Sequence, residues 1–297
     1  MGWLNFLLTI FSRAFNENFT GIFALYQPAV KKSTSREMKK WTMCLGLYLL
    51  FGLFPVATYV SADENTNLDP QKRLEQHINQ LYALIDFRNS ELLPYDVFNK
   101  AYKGYLNLRH EGKLNVGKEI LTICDMALPS SFTRMWIIDL AKRTVLFNTY
   151  VAHGQGSGND CHLTFSNRSS THKSSLGFYV TTDTYEGEHG TSLHLDGLDH
   201  GFNDAALKRG IVVHGAEYVN ADFVQTKDRL GRSWGCPAVP SELSLPIINT
   251  IKEGTCLFIY YPDKKYLQKG YWLNKHVSLP AEYGEVSGTR LPLTKGS

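Results

Sequence analysis

The chain lacks any H-E-x-x-H, C-x-x-C or comparable ligand spacing, which leaves a zinc hydrolase without the ligand set it needs. Seven of the ten histidines fall between His153 and His214, and Asp160, Cys161 and His162 adjoin. Without metal-ligand spacing these read as solvated or hydrogen-bonded loop side chains, so neither metal nor cofactor is expected. An excess of one charge is missing too: 31 Lys and Arg against 28 Asp and Glu leave +3. That balance shows no nucleic-acid footprint, and no nucleic-acid partner is expected. Five cysteines in 297 residues are too few for a disulfide-built scaffold. Internal repeats and low-complexity tracts are absent, and so is the compositional mark of a disordered chain.

A hydrophobic content of 43% over 297 residues is enough for a sizeable core in one large domain or two small ones. Near the start, Met38-Lys39-Lys40 leads into an apolar run at 44–54 and then to Val60-Ser61-Ala62. Basic head, short apolar core and small-residue site make a secretory signal peptide cleaved before Asp63, so the chain is expected to be exported to the periplasm or cell envelope. The rival is an uncleaved membrane anchor, since 43–60 is uncharged and reaches the lower limit of a span, about 18 residues. Residues 1–37 form an N-terminal extension that fits poorly in front of a signal, and Met38 is an alternative start. Loss of the signal leaves Cys124, Cys161, Cys236 and Cys256. Cys124 and Cys256 lie in apolar strand-like runs and read as inert core thiols.

The mature chain then divides by period. At 63–117, Leu74, Ile78, Leu81, Leu84 and Ile85 recur at helical spacing after Asp69-Pro70, and a second helical pattern follows Pro94 through Val97, Phe98, Ala101, Tyr102, Tyr105 and Leu108. From 118 to about 290 the period becomes that of strands, at 120–124, 135–140, 145–151, 178–181, 211–213 and 256–261. A helix is expected at 241–251, capped by Ser241 and with Leu245, Ile248 and Ile251 inward. The fold class is therefore mainly β with a few helices: an antiparallel β barrel or sandwich preceded by a helical hairpin.

Within that β region, 210–240 holds a base and a thiol. Ile211, Val212 and Val213 form a β-branched run that ends at His214, and Gly215 is read as the turn. Cys236 sits in Ser233-Trp234-Gly235-Cys236-Pro237, where glycine leaves the backbone uncrowded and proline fixes the next φ. A free thiol is mostly protonated at neutral pH, and an imidazole beside it supplies the base that a nucleophile requires. His214 and Cys236 are the catalytic candidates, with the thiol expected to ionise below about 8.5. The amides around Trp234, Gly235 and Cys236 are the oxyanion-hole candidates. Ser233, Gly215 and His153 join them as loop-orienting or substrate-binding residues, and His172 and His194 are further candidates for substrate contacts.

H-G followed by a loop and S-x-G-C resembles the signature of the L,D-transpeptidases of bacterial cell walls, the YkuD-like family. Y-V-A-H-G-Q-G-S-G at 150–158, S-S-L-G-F-Y-V at 174–180 and G-T-C-L-F-I-Y at 254–260 fall in the order that family shows, so the likeness covers roughly 120–262. The common pattern has Arg or Asn two residues after the cysteine. Here Ala238 stands there, and with the insert at 188–203 the chain resembles the divergent murein L,D-transpeptidase catalytic domain subfamily. The resemblance implies an L,D-transpeptidase-like fold and a cysteine acyltransferase acting on peptidoglycan stem peptides. Cys236 would form an acyl-thioester at meso-diaminopimelate and expel D-alanine, and an amine of another stem or of a wall-linked protein would accept the acyl group. It also implies that His214 is held by a backbone carbonyl rather than by an acid. The alternatives are an L,D-carboxypeptidase or endopeptidase hydrolysing the same thioester, and a non-catalytic wall-binding module.

Overall fold

The chain divides into two units, Met1–Ala62 and Asp63–Ser297. A computed structural model describes residues 69–160, 162–277 and 279, all within the second. The expected extension, signal or anchor at 1–62 and Cys161 lie outside the described residues. Among those described, no helix is long and apolar enough to cross a membrane.

Helices α1 (Pro70–Leu84) and α2 (Tyr95–His110) form the expected hairpin. Pro70 opens α1 because its missing N–H is one that the first turn leaves unpaired anyway. The helices run antiparallel, since Glu75 meets Asn99 and Lys103, His77 stacks on Tyr102, and Tyr82 packs on Tyr95 and Phe98. Of the apolar positions expected to face inward on α1, Leu74 and Ile78 are buried while Leu84 is exposed. α2 is the more deeply set helix. Phe98, Ala101, Tyr105 and Leu108 belong to the main hydrophobic core, and Asn107 donates to the carbonyls of Trp272 and Lys275.

Eight strands follow: β1 (Ile120–Asp125), β2 (Met135–Asp139), β3 (Thr144–Thr149), β4 (Gly177–Gly187), β5 (Gly190–Gly197), β6 (Val212–Ala216), β7 (Ala238–Pro240) and β8 (Cys256–Tyr260). They form one sheet in the order β3-β2-β1-β8-β4-β5-β6-β7. Pairing is mostly antiparallel, but β1 with β8 and β6 with β7 run parallel. The two ends of the sheet meet just past β3, where Ala152 bridges Ala238 and its N–H donates to the Ala238 carbonyl at 2.8 Å. This closure makes the sheet a nearly complete barrel and leaves few unpaired edges. β1, β2 and β8 are almost wholly buried, as their unbroken apolar runs require.

Two local expectations are corrected and one strand is unexpected: the insert at 188–203 contains β5, whose buried Ser192, Leu193 and Leu195 sit between β4 and β6. Its alternation is short and polar, so its periodicity is faint. α4, after the short helix α3 (Ala221–Lys227), spans Ser241–Ile251, but Ser241 makes no cap. Its buried stripe is Ile247, Ile248 and Ile251. At about 100° per residue Leu245 lies roughly 200° from Ile247, on the opposite face, and it is exposed. Gly215 is not a turn but an inner residue of β6. A Cβ there would come within 2.9 Å of Ser244 Cβ, so glycine lets α4 lie against the strand.

The last helices among the described residues are α5 (Lys264–Lys269) and α6 (Tyr271–Asn274). Buried Asp199 ties this end to the barrel by accepting from Phe178 N–H at 2.8 Å and Tyr266 Oη–H at 3.0 Å. Phe178 stacks on Phe258 with centroids 4.2 Å apart. Its ring tip also fills the groove left by Gly104 of α2, where a Cβ would lie 1.9 Å from Phe178 Cζ. Gly104→Ala is therefore expected to destabilise the fold by about 1–3 kcal/mol, as overpacking does. Phe178→Leu in the same chain should recover part of that loss. Urea denaturation of the two single variants and the double variant checks this, and additive losses would contradict it.

Candidate active site

The parallel pairing of β6 with β7 sets the site. Its register opposes His214 to Ala238 and Gly215 to Val239. Cys236, two residues before Ala238, therefore arrives beside Val212, two residues before His214. The Val212 N–H donates to Cys236 Sγ at 3.5 Å, and Sγ–H donates to the Gly210 carbonyl at 3.7 Å. A carbonyl only accepts, so this contact is that of a protonated thiol.

His214 is buried and lies within β6 rather than at its end. Its Nδ1 is 2.9 Å from the Gly215 carbonyl oxygen. Since that oxygen cannot donate, Nδ1 carries the proton and Nε2 keeps a lone pair, with no hydrogen-bond partner among the described residues. The backbone carbonyl implied by the family resemblance is thus that of Gly215. Across the imidazole lies His189, at the β4–β5 turn, with ring centroids 4.5 Å apart and planes 20° from parallel. Burial, followed by the proximity of His189, holds His214 below the usual histidine range, while the Gly215 carbonyl opposes them.

Burial also pushes the Cys236 thiol above its ordinary value, against the weaker opposing effects of the Val212 N–H and the Arg209 charge. This direction is opposite to the low thiol pKa expected: burial favours the neutral thiol and the neutral imidazole alike, while the Cys236 side chain itself stays half-buried.

The Ser233–Cys236 turn is held from within. Ser233 Oγ donates to the Cys236 carbonyl at 2.6 Å and accepts from Gly235 N–H at 3.1 Å. The Gly235 amide is therefore engaged, whereas the amides of Trp234 and Cys236 have no acceptor among the described residues. Gly235 has φ 124, and a Cβ there would lie 2.8 Å from the Lys173 carbonyl oxygen. Gly154 backs it so closely that a Cβ on Gly154 would come 2.7 Å from Gly235 Cα. Ser174 links the two, accepting from Gly154 N–H and donating to the Gly235 carbonyl, each at 3.0 Å. Trp234 is 73% exposed and lies flat on His172, with centroids 5.0 Å apart.

His153 is placed differently from the substrate-binding role expected of it. It is fully buried, with Nδ1 accepting from Arg134 Nη2 at 2.8 Å and Nε2–H donating to the Gly158 carbonyl at 3.1 Å. Burial and the Arg134 charge push it down to about 4. Both nitrogens are spent inside the barrel wall, and none is left for a ligand. His194 stacks on Tyr185 and pairs with Asp183 on the β4–β5 hairpin. Cys124 and Cys256 are fully buried thiols, as expected. Among the described residues no three His, Cys, Asp or Glu side chains gather as a metal ion would require.

The L,D-transpeptidase catalytic domain pattern matches residues 89–260, which include the β6–β7 pair, its thiol turn and all eight strands. The chain belongs to the L,D-transpeptidase catalytic domain family. Among solved structures it is similar to an L,D-transpeptidase from Mycobacterium smegmatis at 11% identity and TM-score 0.31, over 48% of this chain and 59% of that one. A mutant of the Enterococcus faecium L,D-transpeptidase is similar at 12% identity and TM-score 0.31, over 48% and 50%. A mutant of Pgp2, the helical cell shape determining protein of Campylobacter jejuni, is similar at 12% identity and TM-score 0.34, over 55% and 57%. The chain thus spans between half and three-fifths of the length of these neighbours. Among curated proteins none matches it.

For this L,D-transpeptidase family member, sequence reasoning missed His189, Ser174 and Arg209. Ser174 opens S-S-L-G, and Arg209 stands directly before G-I-V-V-H, so their neighbours were the available signal. His189 carried none, because only the β4–β5 turn brings it to His214. Replacing His189 with alanine removes the ring stacked on His214 and opens that face to water, so His214 is expected to titrate higher, closer to the ordinary value of about 6.5. Imidazole chemical shifts followed against pH in the two proteins measure this. An unmoved or lowered His214 pKa would refute the contribution of the stacked ring.

Proposed function

We propose that this chain is an exported murein L,D-transpeptidase with Cys236 as nucleophile and His214 as its base. The observation that supports the reading is the register of β6 and β7: it opposes His214 to Ala238, two residues beyond Cys236, and this histidine has Nδ1–H fixed on the Gly215 carbonyl and Nε2 left to accept. Family membership supplies the substrate class, the peptidoglycan stem peptide. Export rests on the signal-like segment at 38–62, and the periplasm or cell envelope is the proposed place of work.

The reaction begins with both groups neutral. As Sγ attacks the carbonyl carbon of the third, meso-diaminopimelate residue, its proton passes to His214 Nε2, so no resting thiolate is needed. The free Cys236 and Trp234 amides are the donors available to the oxyanion, and the Gly235 amide, bound to Ser233, serves the turn instead. His214 returns the proton to the departing D-alanine nitrogen as the amide bond breaks, leaving the acyl group on Sγ. An acceptor amine then attacks the thioester, gives its proton to His214, and the thiol leaves reprotonated. Buried Gly215 supports this cycle through its carbonyl, which favours the imidazolium that forms transiently.

Defined tetrapeptide with a diamino acceptor provides the test, using enzyme recovered from the envelope fraction. The expected result is a cross-linked product and free D-alanine, both lost at least 100-fold in Cys236→Ala with melting unchanged, consistent with the loss of a covalent nucleophile. Hydrolysed tripeptide alone would replace transfer by carboxypeptidase action. Turnover undiminished in Cys236→Ala would overturn the assignment altogether.

A further inference from the structure

Arg209 lies at the far side of the thiol turn and has no part in the scheme above. It is part-buried and precedes Gly210, whose carbonyl receives the Cys236 thiol. Its guanidinium is clamped by neutral acceptors: Nη1 donates to the Ser166 carbonyl at 2.8 Å and to Ser175 Oγ, and Nη2 donates to the Lys173 carbonyl at 2.6 Å. No carboxylate pairs with it among the described residues. Nη2 approaches the turn itself, 3.3 Å from where a Gly235 Cβ would be. An arginine held this way keeps its full charge and cannot swing away, and partial burial weakens the screening of its field. Two residues beyond the thiol, Ala238 is buried and brings no charge of its own.

We propose that Arg209 is a positioning residue for the nucleophile: its unpaired guanidinium stabilises negative charge on Cys236, both as the proton leaves and when the thioester collapses. The inference rests on the reading of Cys236 as nucleophile. The remaining groups near the sulfur do not supply this charge. His214 on β6 is neutral at rest, and Tyr218, in the turn beyond β6, is a phenol pushed up to about 12. Lys173 offers the turn its carbonyl while its Nζ bonds Thr164 Oγ1. His189 faces His214, and His172 faces Trp234. The thiolate and Arg209 favour each other's charged forms, as opposite charges at short range do.

The experiment is alkylation of Cys236 by iodoacetamide between pH 6 and 11, followed by intact-protein mass spectrometry, in wild type and in Arg209→Gln, Arg209→Met and Arg209→Lys. Loss of the charge should move the profile upward by about one pH unit, a roughly tenfold slower reaction on its rising limb. Arg209→Lys, which keeps the charge but not the fork, should stay within about 0.3 unit of wild type while melting lower. A purely structural clamp would lower the melting temperature in all three and leave every profile in place, and that result would overturn the proposal. Should the neutral variants fail to fold, Arg209→His decides, because it keeps a ring N–H donor but loses its charge as pH rises past the ordinary histidine value of about 6.5: a profile raised by about one unit supports the proposal, and one superposed on wild type overturns it. Failure of the functional reading is distinguishable, because stem-peptide transfer would be absent in wild type whatever the profiles do.

Discussion

The parallel pairing of β6 with β7 is the constraint on which the rest of the site depends. It opposes His214 to Ala238, and from that register follows the Cys236 sulfur at the Val212 amide; the Gly215 carbonyl at the imidazole is local to β6 itself. A slip of one residue would move the sulfur away from that amide. The same short strand also closes the barrel through the Ala152–Ala238 bridge. The Cys236 turn is thereby anchored at the seam of the fold, where its displacement would open the sheet.

Around that seam the turn is fixed by contacts that leave little room for side chains. Gly154 and Gly235 meet backbone to backbone, Ser174 joins them, and Ser233 closes the loop from inside. These bonds consume the Gly235 amide and leave those of Cys236 and Trp234 unpaired among the described residues. Rigidity of this kind suits catalysis, because donors already in position need not reorganise when charge appears. Burial raises the thiol and lowers the imidazole, which favours the neutral form of each; in the proposed reaction charge would develop only as the proton moves, under the field of Arg209.

Much of this was legible in the chain itself. The hairpin α1–α2 followed from helical spacing and the Asp69-Pro70 start, and β1, β2 and β8 from unbroken apolar runs. His214 and Cys236 stood out because glycine, serine and proline flank them in a pattern the family shares. What escaped the reading was whatever depends on long-range geometry. β5 hides in a polar alternation, Gly215 looks like a turn until α4 is laid against it, and His153 looks available until Arg134 is found buried beside it. Protonation was the least legible of all, since composition says nothing of how dry a thiol will be.

The central claim is that Cys236 and His214 rest as a neutral pair and exchange a proton only in the reaction. Labelling cysteine at 13Cβ and histidine at 15N, then titrating the folded protein by NMR, tests it directly. At pH 7 the account requires a Cys236 Cβ shift typical of a thiol and a His214 with Nδ1 protonated and Nε2 bare. A thiolate beside a doubly protonated imidazole at that pH would contradict it.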